Sequence, residues 1–156
     1  MRHEDDPAEY ARRIEAKLSP DHIRATLAFS GLYQLTHEQI KRTVLDDVKS
    51  FFGYSPLRDG MWLLGESGKR DYDASVLSRA PKRPFQASLL WLEDMEAITT
   101  EQRKRLDAIY AHRHDLTHEL VRYLVDVDTE PDVDLFQEAL EILLSIHQSG
   151  FRWRRT

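Results

Sequence analysis

The run Ile109-Tyr110-Ala111-His112-Arg113-His114-Asp115-Leu116-Thr117-His118-Glu119-Leu120 puts an arginine, three histidines and two carboxylates on what its apolar spacing predicts to be one helix. On a 3.6-residue wheel Leu106, Ile109, Tyr110, Leu116, Thr117, Leu120 and Leu124 form one stripe whose centre line passes through Arg113. Burying a guanidinium costs several kcal/mol unless a carboxylate, an anion or a wet interface receives it. His114 and His118 lie one turn apart on a face beside that stripe, roughly 100 to 140 degrees from Arg113. A fixed cation and a titratable base on one surface suit phosphoryl transfer at a ribose. A neutral imidazole takes the 2′-hydroxyl proton near pH 7, and the guanidinium fork holds the charge that develops on the phosphate oxygens. This chemistry requires neither metal nor cofactor, and none is expected.

Other readings of the same residues stay open. An arginine on an inner stripe also pairs with an Asp or Glu of the fold, and exposed helix histidines are common. His114 and His118 have the i, i+4 spacing of two zinc ligands, but His112 and Asp115 point elsewhere on the wheel. Position 115 is Asp where the zinc-protease helix carries Glu, so a distant third ligand such as His37 or His147 would be needed. Gly65-Glu66-Ser67-Gly68-Lys69 lacks both the early glycine and the hydroxyl residue after the lysine of a phosphate loop. The alternating Asp126, Asp128, Glu130, Asp132 and Asp134 lack the central glycine and terminal glutamate of a calcium loop. They suit a solvated turn whose last members face the positive end of the final helix.

The elements that must position these groups are helical. Asp6-Pro7 and Ser19-Pro20 each set a capping side chain before a proline suited to the first turn, predicting helices from about 7 to Leu18 and from about 20. Two apolar series follow, Ile23, Leu27, Ala28, Leu32, Leu35 and then Ile40, Val44, Val48, Phe51, rotated against each other. No Gly or Pro stops the chain between them, so one long, bent helix over about 21–52 is expected. Residues 53–84 hold four of the six glycines and three of the six prolines, the composition of a long ordered loop or lid with one short helix at most. A helix is expected over about 85–98. Thr99 and Gln102 form a capping box for another running to about Val125, and a last helix spans Pro131 to just before Gly150 with Phe136, Leu140, Leu143 and His147 inward. The predicted class is all-α, an up-and-down bundle of four to five helices with one long loop-rich connection, a single domain over 1–156.

Composition narrows the setting. The absence of cysteine excludes disulfides, thiolate metal sites and a cysteine nucleophile. Met1-Arg2-His3-Glu4-Asp5-Asp6 is too polar for a signal peptide, and no apolar run is long enough to span a membrane, so a cytoplasmic protein without membrane attachment is expected. With 22 Lys plus Arg against 27 Asp plus Glu the net charge is −5, so a polyanion would have to meet a local patch. The basic tail over 151–156, with Arg152, Arg154 and Arg155 interleaved with Phe151 and Trp153, is one candidate for substrate binding. The middle segment with Arg58, Lys69, Arg70, Arg79, Lys82 and Arg83 is another.

Arg113-His114-Asp115-Leu116-Thr117-His118, late in a helix of an all-α chain of this length, resembles the signature of HEPN proteins: an Arg, a polar residue, three residues and a His. His114 fills the variable polar position. The resemblance implies a homodimer whose motif helices face each other across a shared cleft, and a metal-independent endoribonuclease acting on RNA, often as a toxin or antiviral defence effector. Arg113 would stabilise the transition-state phosphate, His118 would act as general base and His114 would orient or assist, with Asp115 a further participant. An antitoxin or nucleotidyltransferase partner is also implied, although Leu120 stands where some toxin members carry the Tyr that such a partner modifies. A noncatalytic HEPN-like module binding a nucleotide, RNA or a protein partner through the same cleft is the alternative.

Overall fold

The computed structural model describes residues 6–53, 55–56, 62–63 and 65–149. Asp6 opens α1 (Pro7–Lys17) by accepting the N–H groups of Ala8 and Glu9 at 3.0 and 3.3 Å. Ser19 does the same for α2 (Pro20–Phe51) through the N–H of His22 at 3.3 Å. Each has proline in its first turn, where the missing N–H costs nothing. The expectation of one helix between 21 and 52 therefore holds.

Which face of α2 turns inward differs from expectation. The buried line is Thr26, Ser30, Tyr33, His37, Ile40, Val44 and Val48, spaced by three or four residues throughout. A helix running unbroken across both apolar series can keep only one of them inside, and it keeps the second. The first series is left outside, with Leu27, Leu32 and Leu35 exposed beside Ala28 and Gly31.

Beyond Gly53, which takes a φ of +86°, Ser55–Pro56 (β1) pairs antiparallel with Trp62–Leu63 (β2). The long connection, in which one short helix at most is expected, then holds α3 (Glu66–Ser75) and a 3-10 turn at Leu77–Arg79. Tyr72 and Val76, one turn apart and buried, fix this segment, the Tyr72 ring meeting that of Phe52, which in turn meets Trp91. Next come α4 (Pro84–Asp94) and α5 (Thr100–His118), the latter opened by the predicted capping box. Thr99 Oγ1 accepts the Gln102 N–H at 3.1 Å and Gln102 Oε1 accepts that of Thr99 at 2.8 Å. The helix expected to reach Val125 instead breaks at Glu119, with φ −113° and ψ 23°, and resumes as α6 (Leu120–Val125). The last helix, α7 (Val133–Ser149), starts where Asp132 Oδ1 accepts the N–H of Leu135 at 2.8 Å. Its inner line is Leu135, Ala139, Ile142 and Ile146 rather than the expected one. Phe136 and Leu143 flank that line and Leu140 faces outward.

The all-α class stands. The count of four to five helices does not: seven α-helices lie among the described residues, because α3 forms inside the connection and the break at Glu119 divides one helix in two. α2 packs against α4, α5 and α7, and its buried line is the spine of a continuous apolar cluster with Leu89, Leu92, Leu106, Ile109 and Leu116. α1 is latched to the link between α6 and α7. Arg13 donates to the Val127 carbonyl and the Asp128 carboxylate at 3.0 and 2.9 Å, while buried Lys17 donates to the Thr129 carbonyl and pairs with Glu130 at 2.5 and 2.6 Å.

Candidate functional site

The second half of α5 lies along the middle of α2, and four contacts fix their register. The Tyr33 hydroxyl donates to the Ile109 carbonyl at 3.2 Å. The Gln34 side-chain amide donates to the Arg113 carbonyl at 3.2 Å and to Thr117 Oγ1 at 2.6 Å, and Thr117 in turn donates to that carbonyl at 2.9 Å. Arg113 Nη2 lies 3.3 Å from Glu38 Oε1. Because Ile109 and Leu116 occupy the inward positions, Arg113 falls at the edge of the buried stripe rather than its centre, 27% exposed. Its Nε is buried without a hydrogen-bond partner.

His37 stands next to this guanidinium on α2. Its ring is 2% exposed, lies against those of Phe85 and Tyr110, and has no partner on either nitrogen, Glu38 Oε1 being 3.8 Å from Nδ1. Burial, reinforced by the charges of Arg113 and Lys41, holds His37 below its ordinary pKa against the opposing pull of Glu38, so it is the neutral ring near pH 7. It lies in register with Tyr33, Ile40 and Val44, so it follows them inward once the facing of α2 is known, but the sequence alone does not mark it. The sequence does not mark Glu38 either.

His114 and His118 are exposed, their rings 4.2 Å apart between centroids, and His118 is the last residue of α5. Asp115 is exposed and acts electrostatically on His112 and Tyr123, away from Arg113. His112 is structural: Nε2 accepts the Asp132 N–H at 3.1 Å, its ring packs edge-on to Tyr33 and Tyr123, and burial lowers its pKa. Arg152, Arg154 and Arg155, and the side chain of His147, lie outside the described residues. Among those described, no group of three or more His, Asp or Glu converges to hold a metal ion. No helix among them is long and apolar enough to cross a membrane.

No family model matches the chain, and no match was found among curated proteins or solved structures. The site is thus characterised by its own geometry. Gln34, Glu38 and Arg113 meet where α5 packs on α2, His114 and His118 stand exposed further along α5, and Leu27, Leu32 and Leu35 of α2 and Tyr110 of α5 are exposed on the same two helices. A cavity of about 680 Å³ lies elsewhere, between α4, α7 and the first turns of α5, and includes none of the 113–118 run.

Proposed function

We propose that the α2–α5 surface is the active face of a metal-independent endoribonuclease of the HEPN type, formed between two copies of the chain. The observation that carries this reading is a guanidinium at the edge of an otherwise apolar stripe, with two exposed, adjoining imidazoles one and five residues further along the same helix. In this reaction His118 takes the 2′-hydroxyl proton and the 2′-oxygen attacks the neighbouring phosphorus. Arg113 holds the pentacoordinate phosphate and His114 orients or assists, while the proton taken by His118 passes by way of water to the departing 5′-oxygen, leaving a 2′,3′-cyclic phosphate and a 5′-hydroxyl. The leucines of α2 supply the apolar surface that a second copy would cover. A cytoplasmic toxin or defence role, with an antitoxin or nucleotidyltransferase partner, belongs to the same proposal.

One observation favours a second reading. Glu38 already neutralises Arg113 within the chain, so the guanidinium does not need a substrate phosphate to be satisfied, as expected of a noncatalytic module that binds through this face. Incubation of transfer RNA in EDTA with wild type, Arg113→Ala and His118→Ala separates the two. Cleavage by wild type alone, with all three proteins equally folded, supports the ribonuclease. Cleavage unchanged in both variants removes it, and RNA retained on a native gel without cleavage by any of them supports the binding module.

A further inference from the structure

A second cavity, of about 560 Å³, opens next to this face between α2, the start of α4 and α5. Its walls carry three cations, Lys41, Lys82 and Arg83, and two aromatic rings, Phe85 and Tyr110. In a chain of net charge −5 this is a local concentration of positive charge without a matching set of carboxylates. Asp107 also lines the cavity but is engaged by Arg103 at 2.9 Å, and Arg103 pairs with Glu93 as well. Lys41, Lys82 and Arg83 make no ion pair among the described residues.

Two further features make the cationic end suited to an anion. α4 begins there with Arg83 at its N-cap and no side chain closing its first turn, so the N–H groups of Phe85 and Gln86 stay available at the positive end of the helix dipole. Lys82 holds a φ of +68°, a conformation costly for a residue with a Cβ, so the turn that presents these cations is a defined shape. The aromatic end has a different character. Tyr110 is 48% exposed, and the rings of Tyr110 and Phe85 both pack against buried His37. A ligand filling both ends would carry a phosphate and, a few ångströms away, a flat ring able to stack.

We infer that this cavity binds a nucleotide, its phosphate held by Lys41, Arg83 and the open first turn of α4 and its base against Tyr110. The site adds to the ribonuclease reading without depending on it. The same chemistry occurs in a free mononucleotide and in one residue of an RNA strand.

The test is titration of the ¹⁵N-labelled full chain with inorganic phosphate, adenosine, 5′-AMP and a short single-stranded RNA, repeated on Lys41→Ala/Arg83→Ala and on Tyr110→Ala. Lys82 is left unchanged because its positive φ ties it to the shape of the turn. Shifts at the amides of residues 41, 82, 83, 85 and 86 are expected with phosphate and more strongly with AMP. The double variant should weaken AMP by at least about tenfold, since it removes two charge-assisted contacts. Tyr110→Ala should weaken AMP and leave phosphate unaffected. RNA binding tighter than AMP at the same amides identifies strand residues as the occupant, and the reverse identifies the free nucleotide. The inference is overturned if AMP causes no shifts there, or binds the folded double variant as well as wild type. It is also overturned if AMP binds no better than phosphate and is indifferent to Tyr110. Loss of RNA cleavage in Arg113→Ala with AMP binding intact leaves both proposals standing. Absence of cleavage in wild type with AMP bound through Lys41 and Arg83 removes the ribonuclease alone.

Discussion

Gln34 holds the main-chain carbonyl of Arg113: its side-chain amide reaches across from α2 to that oxygen at 3.2 Å while also donating to Thr117 Oγ1 at 2.6 Å. One side chain thereby sets the height of the Arg113 turn against α2. Gln34→Ala is expected to cost about 1 kcal/mol in urea unfolding, the ordinary worth of such a bond. On the proposed function it slows RNA cleavage more than that loss of stability explains.

Glu38→Gln tests whether the Arg113 guanidinium is a structural or a working cation. The pair is 27% and 49% exposed on its two sides, so stability should fall by no more than about 1 kcal/mol. Freed from a competing carboxylate, the guanidinium should support cleavage at least as fast as in wild type. A loss as deep as that of Arg113→Ala would make Glu38 a participant in the reaction.

His37 should make the fold sensitive to mild acid. Burial holds its folded pKa below the ordinary value of 6.5, so below pH 6.5 the unfolded chain binds a proton that the folded chain refuses. Stability is therefore full above pH 6.5 and is lost as pH falls from there toward the folded value. His112, lowered in the same direction, adds to the effect. His37→Leu should flatten the pH dependence of the urea midpoint below pH 6.5. It should also raise stability by about 1 kcal/mol, because it removes ring nitrogens that are buried without partners.

Leu35 is 65% exposed on the apolar stripe that α2 turns outward. On the proposed dimer, Leu35→Arg should shift sedimentation velocity from dimer to monomer while changing the stability of the monomer by less than about 0.5 kcal/mol. An unchanged sedimentation coefficient would place any association elsewhere.

Local chemistry made much of this fold legible. The caps at Asp6, Ser19 and Thr99 mark three helix starts, because their hydroxyl or carboxylate oxygens have one obvious use beside a helical run. The facing of α2 was not legible. Periodicity identifies the angle between its two apolar series but not which one meets the other helices, and the buried line includes Thr26, Ser30 and His37, which count as polar in any pattern. The break at Glu119 involves neither Gly nor Pro and leaves no local mark. Within the site, Arg113 and the two exposed histidines can be seen in one stretch of chain. Glu38 and His37 lie some 75 residues earlier and join the site only through the packing of α2 on α5.

The latch on α1 has a consequence in time. The acceptors for Arg13 and Lys17 lie 112 to 115 residues later in the chain. At ordinary translation speeds the ribosome needs on the order of ten seconds to make them. Until then the first helix has nothing to close on, and Lys17 waits in water for the partners that will bury it. Although made long before its partners, α1 is thus secured late, and fusions or truncations that delay residues 127–130 should be felt first at α1.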